Sequence, residues 1–273
     1  MERVVGVSNI VVDHADSGLV RAEVHGAERI SENFVRVTLA GGDLANWRHL
    51  GFDQWFRLAL PISDETRFDR LGARFDMAAY LRYLTLPKAT RPAIRNYTVR
   101  SFRPETCELD IDFMVHGTTG VAGPWAATLP VGAPVALIDQ GCGYRPVAGA
   151  TEVLLAGDES AMPAVLGILR DLPSDTTGTA IIEVPDRDDQ QPVIAPAGVD
   201  VRWLVRGATG ERPGAAALEE LRSFSAFSDP ISAFVTGEQQ LATGGRRHLV
   251  NTCGVAKQAI DFSGYWRLGK SHA

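Results

Sequence analysis

Glu152-Val153-Leu154-Leu155-Ala156-Gly157 is a continuous apolar run, followed at once by Asp158-Glu159-Ser160. A strand buried on both faces reads this way, without the alternation of a strand that has one wet side. The acidic residues after it suit the positive end of a helix dipole, so the pattern places a helix over 161–172. Further apolar runs at 179–184, 199–205 and 231–236 alternate with helical patterns at 215–224 and 238–250. Strand and helix in turn mark a wound α/β domain with a parallel sheet.

Upstream the periodicity changes. Residues 20–39 alternate well enough for two strands, with Val35, Val37 and Leu39 on one face of the second and a turn at Gly41-Gly42-Asp43. Residues 55–60 form a third strand stopped by Pro61, and 95–102, 108–115 and 134–138 supply three more. Met77 to Leu84 fits a short helix or an irregular excursion, and residues 62–93 receive no assignment. Many short strands with glycine and proline turns predict a small antiparallel β-barrel. The glycine- and proline-rich stretch 141–149 is the natural linker. The expected domains are a barrel over 1–146 and a wound parallel-sheet domain over 147–273.

At 273 residues the chain exceeds the usual size of one core, which agrees with two domains. Its net charge of −6 gives no general attraction to nucleic acid. No apolar run approaches the roughly 20 residues of a membrane span, and Met1-Glu2-Arg3-Val4-Val5 lacks a signal-peptide layout, so no membrane insertion and a cytoplasmic location are expected. Cys107, Cys142 and Cys253 lie far apart and form no ligand spacing for zinc or an iron–sulfur cluster.

The chemistry concentrates in a few stretches. In Ile94-Arg95-Asn96-Tyr97-Thr98-Val99-Arg100, alternation points Arg95, Tyr97 and Val99 one way and Asn96, Thr98 and Arg100 the other. That set suits a flat, phosphorylated cofactor: an arginine for a pyrophosphate, a ring to cover a flavin face, a hydroxyl for a ring nitrogen. A plain edge strand with solvated arginines would read the same. His116-Gly117-Thr118-Thr119-Gly120-Val121-Ala122-Gly123-Pro124-Trp125 leaves a strand and opens a helix, with Pro124 at a plausible first position. Its backbone amides suit a phosphate, and an ordinary glycine turn is the alternative. His116 is read as a contact, not a base.

At Gly157-Asp158-Glu159-Ser160 a strand ends where α/β sheets bind nucleotides, but G-x-G-x-x-G is absent, and Asp158 alone would serve as a helix cap. The Tyr265-Trp266 pair between Gly264 and Gly269 must either pack in a core or stack on a flavin or adenine.

Taken together, residues 34–41, 95–100, 112–117, 156–164 and 264–267 resemble the siderophore-interacting protein family, FAD-dependent ferric-siderophore reductases of the ferredoxin reductase-like superfamily. The resemblance implies an N-terminal antiparallel FAD-binding β-barrel and a C-terminal NADPH- or NADH-binding domain. It implies that Arg95, Tyr97 and Thr98 hold the flavin and that Asp112 to His116, with Val115 among them, line its ribityl and phosphate side. Ala122 and Gly123 would then offer amides to the pyrophosphate, and Asp158, Ser160, Gly237 and Trp266 would serve the nicotinamide side. The partner so implied is a ferric siderophore, with Arg246, Arg247, Arg267 and Lys270 as candidate basic residues for an anionic chelate; the blander reading makes Arg246 and Arg247 a solvated helix face and Lys270 part of a tail.

Two places depart from the family pattern. Where the family reads Gly-Pro-Ala-Ser before the loop tryptophan, this chain has Gly120-Val121-Ala122-Gly123, so phosphate binding there rests on backbone groups. Where the family has Gly-Pro-x-Gly near the barrel's end, this chain has Gln140-Gly141-Cys142-Gly143. The expectation is therefore a reductase passing electrons from NAD(P)H through FAD to a ferric siderophore. A flavin reductase feeding a protein carrier, and a non-catalytic flavin or siderophore binder, are the rivals. NADH versus NADPH and the oligomeric state stay open.

Overall fold

Two sheets account for the chain, one of seven strands and one of five. The structure, a computed structural model, describes residues 8–12, 17–69, 71–72, 77–115, 120–207, 210–227 and 230–270. Val12–Cys142 forms one compact unit; the chain from Gly143 onward, with residues 8–11, forms the other.

The first unit contains β1 (Leu19–Arg29), β2 (Phe34–Ala40), β3 (Trp55–Leu60), α1 (Met77–Leu84), β4 (Ala93–Thr98), β5 (Ser101–Arg103), β6 (Glu108–Met114), α2 (Ala122–Ala127) and β7 (Pro134–Asp139). Every pairing is antiparallel, in the order β4-β3-β7-β1-β2-β6-β5. The alternation that predicted these strands buries one face of β1 and β2, while β6 and β7 are buried on both. Val35, Val37 and Leu39 meet Leu109, Ile111 and Phe113, with Phe56 and Leu58, in one core. Each such side chain contributes roughly 1.5–3 kcal/mol when fully buried.

The sheet curls, and its two edge strands follow one another in the chain across only two residues. The strand expected over 95–102 is in fact two strands, β4 and β5, at opposite ends of the sheet order and joined only by Val99 and Arg100. The Val99 amide donates to the Gln54 carbonyl beside β3 (2.8 Å), and the Arg100 amide donates to the Asp110 carbonyl of β6 (2.9 Å). Three Cα steps of about 3.8 Å hold the two edges within roughly 11 Å of each other. The stretch left open at 77–84 forms α1, with Ala79 buried beneath it.

The second unit runs β8 (Glu152–Gly157), α3 (Met162–Asp171), β9 (Thr177–Val184), β10 (Gly198–Val205), α4 (Ala215–Arg222), β11 (Ile231–Glu238), α5 (Gln239–Asn251) and β12 (Ile260–Trp266). Its sheet is parallel, in the order β10-β9-β8-β11-β12. The apolar runs lie at its centre, with β8 and β11 buried almost throughout. Two expectations need correcting. Helix α3 starts at Met162 with Ala161 as its N-cap, so Asp158-Glu159-Ser160 is a turn ahead of the helix, started by the Asp158 carbonyl accepting from the Ala161 and Met162 amides. The Tyr-Trp segment is itself a strand, β12, pairing in parallel with β11.

Candidate functional site

In the first unit, β4 carries the expected flavin residues along an edge of the sheet. Tyr97 stands opposite Phe56 in the register, and its ring lies 4.4 Å from that of Phe113, which in turn lies 5.6 Å from Trp125 of α2. This row of rings fixes the Tyr97 side chain. Burial pushes its phenol up, with the Arg95 charge acting against that, so the hydroxyl stays neutral. Arg95 donates to the Ile94 carbonyl (2.7 Å) and meets no carboxylate among the described residues, leaving guanidinium donors for an anion. Thr98, buried, lies opposite Trp55 in the β3 register, and the Trp55 indole N–H is itself buried without a partner.

Asp112 is differently placed. It stands opposite Arg36 across β2 and β6, and its buried carboxylate accepts from that guanidinium through Nε (2.7 Å) and Nη2 (2.9 Å), with Arg100 Nε at 3.4 Å. Asp110 does the same with Arg103 and Thr38. Both carboxylates are engaged within the barrel wall. The pattern that reveals these pairs is in the sequence, Arg36-x-Thr38 opposite Asp110-x-Asp112, once the register is known.

Val115 follows β6, its amide donating to the Asn33 carbonyl (2.7 Å). His116 and the loop through Thr119 lie outside the described residues. The helix beyond begins at Ala122, so Pro124 is its third residue, where its missing N–H removes a donor that has no intrahelical acceptor anyway. Gly123 packs tightly on the strand: a Cβ there would come 3.1 Å from the Met114 carbonyl oxygen. The first-turn amides of Ala122 and Gly123 are the backbone donors left to a phosphate. At the barrel's end Gln140 is buried and donates to the Ile138 and Asp139 carbonyls, while the Asp139 carboxylate accepts from Gln54 and the Gly141 amide, both at 3.0 Å. The departure from Gly-Pro-x-Gly is therefore a packed corner of the wall.

In the second unit, Asp158 gathers three other sequence-predicted residues at the strand ends, Ser160, Gly237 and Trp266. Its fully buried carboxylate accepts from the Ser160 amide (3.0 Å) and hydroxyl (2.6 Å), the Glu238 amide (2.6 Å) and the Trp266 indole N–H (3.0 Å). Gly237 makes room: its φ is +119°, and a Cβ would stand 2.6 Å from the Asp158 carboxyl carbon. Burial, and then the charge of Glu159, push the Asp158 carboxyl up to about 7 against those hydrogen bonds. The Thr236 hydroxyl, opposite Gly157 in the β8–β11 register, is buried without a hydrogen-bond partner among the described residues.

The sequence did not reveal the ion pairs around this hub. Arg206 joins Glu159 (2.7 Å) to Glu183 (2.6 Å), and Glu183 also accepts from the Gly214 and Ala217 amides that open α4. Glu238 caps α5 through the Gln240 amide and pairs with Arg212. Burial opposes its charge, but Arg212 and the Gln240 and Leu268 amides outweigh that and hold the carboxyl below its ordinary range.

The four basic residues are not alike. The Arg246 guanidinium lies 4.8 Å over the Phe262 ring, with its Nε buried. Arg247 is exposed on α5, and Arg267 and Lys270 are exposed across a tight turn.

Residues 23–142 match the model described as Siderophore-interacting FAD-binding domain, and residues 150–269 match Siderophore-interacting protein. An uncharacterized protein of Mycobacterium tuberculosis is 35% identical over 91% of this chain and 90% of its own length. Ferric vibriobactin reductase ViuB of Vibrio cholerae is 31% identical over 89% of this chain and 87% of its own. The crystal structure of a siderophore utilization protein from T. fusca superposes with a TM-score of 0.76 at 29% identity, covering 96% of this chain and 97% of that one. More distant structures, ferredoxin reductases among them, share the fold alone.

Proposed function

The chain belongs to the siderophore-interacting protein family, and from that premise we propose that it is an FAD-dependent reductase that draws electrons from NADH or NADPH and delivers them to a ferric siderophore. The observation that carries this reading is β4. An arginine without a carboxylate partner among the described residues and a tyrosine locked by neighbouring rings share one strand face, within the region that matches an FAD-binding domain.

When bound, FAD would supply the redox chemistry, accepting a hydride from the nicotinamide and passing single electrons to iron. Arg95 would clamp the pyrophosphate, the kind of anion a guanidinium meets bidentately. The Tyr97 ring would cover one face of the flavin, and the Thr98 hydroxyl would reach its edge. Arg100, steadied by Asp112, would add positive charge, and the Ala122 and Gly123 amides would take the place of the hydroxyl this loop lacks. In the second unit, Asp158 would hold Ser160, Gly237 and Trp266 in register at the strand ends where α/β sheets bind nucleotides. The Thr236 hydroxyl, without a hydrogen-bond partner among the described residues, gives that edge a free polar group. No side chain has to act as acid or nucleophile.

The substrate chemistry follows from the metal. Oxygen-rich chelators hold the hard ferric ion tightly, so reduction to the softer ferrous ion loosens the complex and frees the metal. Arg247, Arg267 and Lys270 remain candidates for contact with an anionic chelate, and we place the reaction in the cytoplasm. The test is turnover: purified protein, NADH or NADPH, a ferric siderophore and a ferrous-specific chromogenic chelator. Enzyme-dependent colour with matching nicotinamide oxidation is expected. Retention of flavin and siderophore with no colour would make the protein a binder instead.

A further inference from the structure

The segment from Met77 to Arg95 is basic and free of acids, as residues 239–260 also are. It holds four cations, Arg82, Lys88, Arg91 and Arg95, and no acid, in a chain of net charge −6. Elsewhere in the same unit Arg36, Arg100 and Arg103 sit on Asp112 and Asp110. These four have no ion pair among the described residues.

The segment is also apolar on its outside. Helix α1 turns Ala79 and Tyr83 inward; Tyr83 packs with Ala59, Leu71 and Ile94, and its hydroxyl donates to the Pro92 carbonyl (2.8 Å). Its other face leaves Tyr80 43%, Leu81 57% and Leu84 44% exposed. The Tyr80 ring stacks on that of Tyr83 at 6.4 Å and 22°, and the Arg91 guanidinium lies 5.4 Å over Tyr83. The acids Asp64 and Glu65, with Thr66 and Arg67, line a recess that shares Thr90 of this loop, where the Arg67 amide donates to the Thr90 carbonyl (3.0 Å).

We propose that the exposed face of α1 and the loop through Arg91 form the docking surface for the ferric siderophore, and that the siderophore it suits is an anionic chelate carrying aromatic rings, of the catecholate or phenolate class. This rests on the reductase reading. Rings of the chelate lie on Tyr80 and against Leu81 and Leu84, burying apolar surface that is otherwise costly to expose. Arg82, Lys88 and Arg91 meet its negative charge and draw it in against the repulsion of the molecule as a whole. The surface runs directly into β4, so a chelate at Arg91 lies a few strand residues, at about 3.3 Å each, from the proposed flavin position at Arg95 to Thr98. An anionic lipid surface would meet the same charges, but the apolar face spans two helical turns with Arg82 beside Leu81, too little area for an interfacial helix.

The test uses the FAD-loaded full chain and a redox-inert probe, the gallium(III) complex of a tricatecholate, with the gallium(III) complex of a neutral trihydroxamate as control. The variants are Arg82→Glu with Lys88→Glu, and Leu81→Ser with Leu84→Ser, all at exposed positions. The charge variant is expected to weaken tricatecholate binding roughly tenfold or more, about 1.4 kcal/mol, with wild-type affinity falling as salt rises. The apolar variant weakens it several-fold, the trihydroxamate responds to neither, and FAD content and flavin bleaching by NAD(P)H stay unchanged. Wild type that fails to bind the probe, or both variants binding it as wild type does, overturns the proposal. So does loss of FAD in place of the chelate, or loss only of binding to phosphatidylglycerol vesicles. Because gallium is not reduced, failure of the reductase reading appears separately, as absent turnover of the ferric chelate with gallium binding intact.

Discussion

The Asp158 hub of the second unit and the β4 segment of the first treat charge in opposite ways. Around Asp158 the second unit seals its carboxylates: Asp158, Glu159, Glu183 and Glu238 are all buried and satisfied by amides, a hydroxyl, an indole or an arginine. Along β4 and the segment before it, the first unit leaves Arg95, Arg91, Lys88 and Arg82 without acidic partners among the described residues. Satisfied buried charges organise a backbone, and a change at one of them costs stability. Half-buried cations without counterions, as Arg91 and Arg95 are, are arranged for an anion that arrives from outside, and Arg82 and Lys88 add exposed charge beside them. A change at β4 should therefore cost ligand, and a change at the Asp158 hub should cost the fold.

The largest effect expected from that contrast is at Gly237. Gly237→Ala forces a Cβ onto the Asp158 carboxyl at a φ that L side chains avoid, so it should destabilise the second unit by roughly 2–5 kcal/mol. Urea unfolding followed by tryptophan fluorescence measures this, with flavin release recorded in the same samples. A stable variant that had lost its flavin would reverse the assignment of the two regions.

Next in size is Arg95→Ala, expected to weaken FAD by about 1.5–3 kcal/mol, the scale of a hydrogen bond to a charged group, without lowering the urea midpoint of the apoprotein. Flavin titration by fluorescence quenching reads it out, and unchanged FAD affinity would remove Arg95 from the pyrophosphate.

The smallest effect is a pH dependence. The Asp158 carboxyl is raised from 3.8 to about 7 in the folded chain, so the native state binds more protons than the unfolded one between those values. The stability this contributes is full below the unfolded value and is lost as pH rises through about 7. Wild type should lose stability relative to Asp158→Asn over that window and run parallel to it above. Parallel curves throughout would mean that the carboxyl titrates at its ordinary value.

How far the sequence carries depended on whether a partner was local. The barrel strands were legible because Val35, Val37 and Leu39, or Leu109, Ile111 and Phe113, alternate strictly. The wound domain was legible because runs such as 152–157 do not alternate at all. Strand β12 was missed because Asp261, Ser263 and Gly264 interrupt its apolar run, and its pairing with β11 supplies what the pattern lacks. The break at Val99 and Arg100 was missed because it depends on two edges lying close in space. At the site, Asp158, Ser160, Gly237 and Trp266 were named from separate stretches and meet at one carboxylate. Glu159, Glu183 and Arg206 were not found, since only the fold brings together residues 23 and 47 positions apart. The pairing of Asp112 with Arg36 was not visible, because the two lie 76 positions apart.

The central claim is that electrons pass from a nicotinamide through a flavin on β4 to a ferric chelate, and anaerobic stopped-flow absorbance of the FAD-loaded protein tests it most directly. Mixing with NADH or NADPH should bleach the flavin band, and a second mixing with a ferric siderophore should restore it while ferrous iron appears in proportion. A flavin band that neither nicotinamide bleaches, or that once bleached is not restored by any ferric siderophore, would contradict the account.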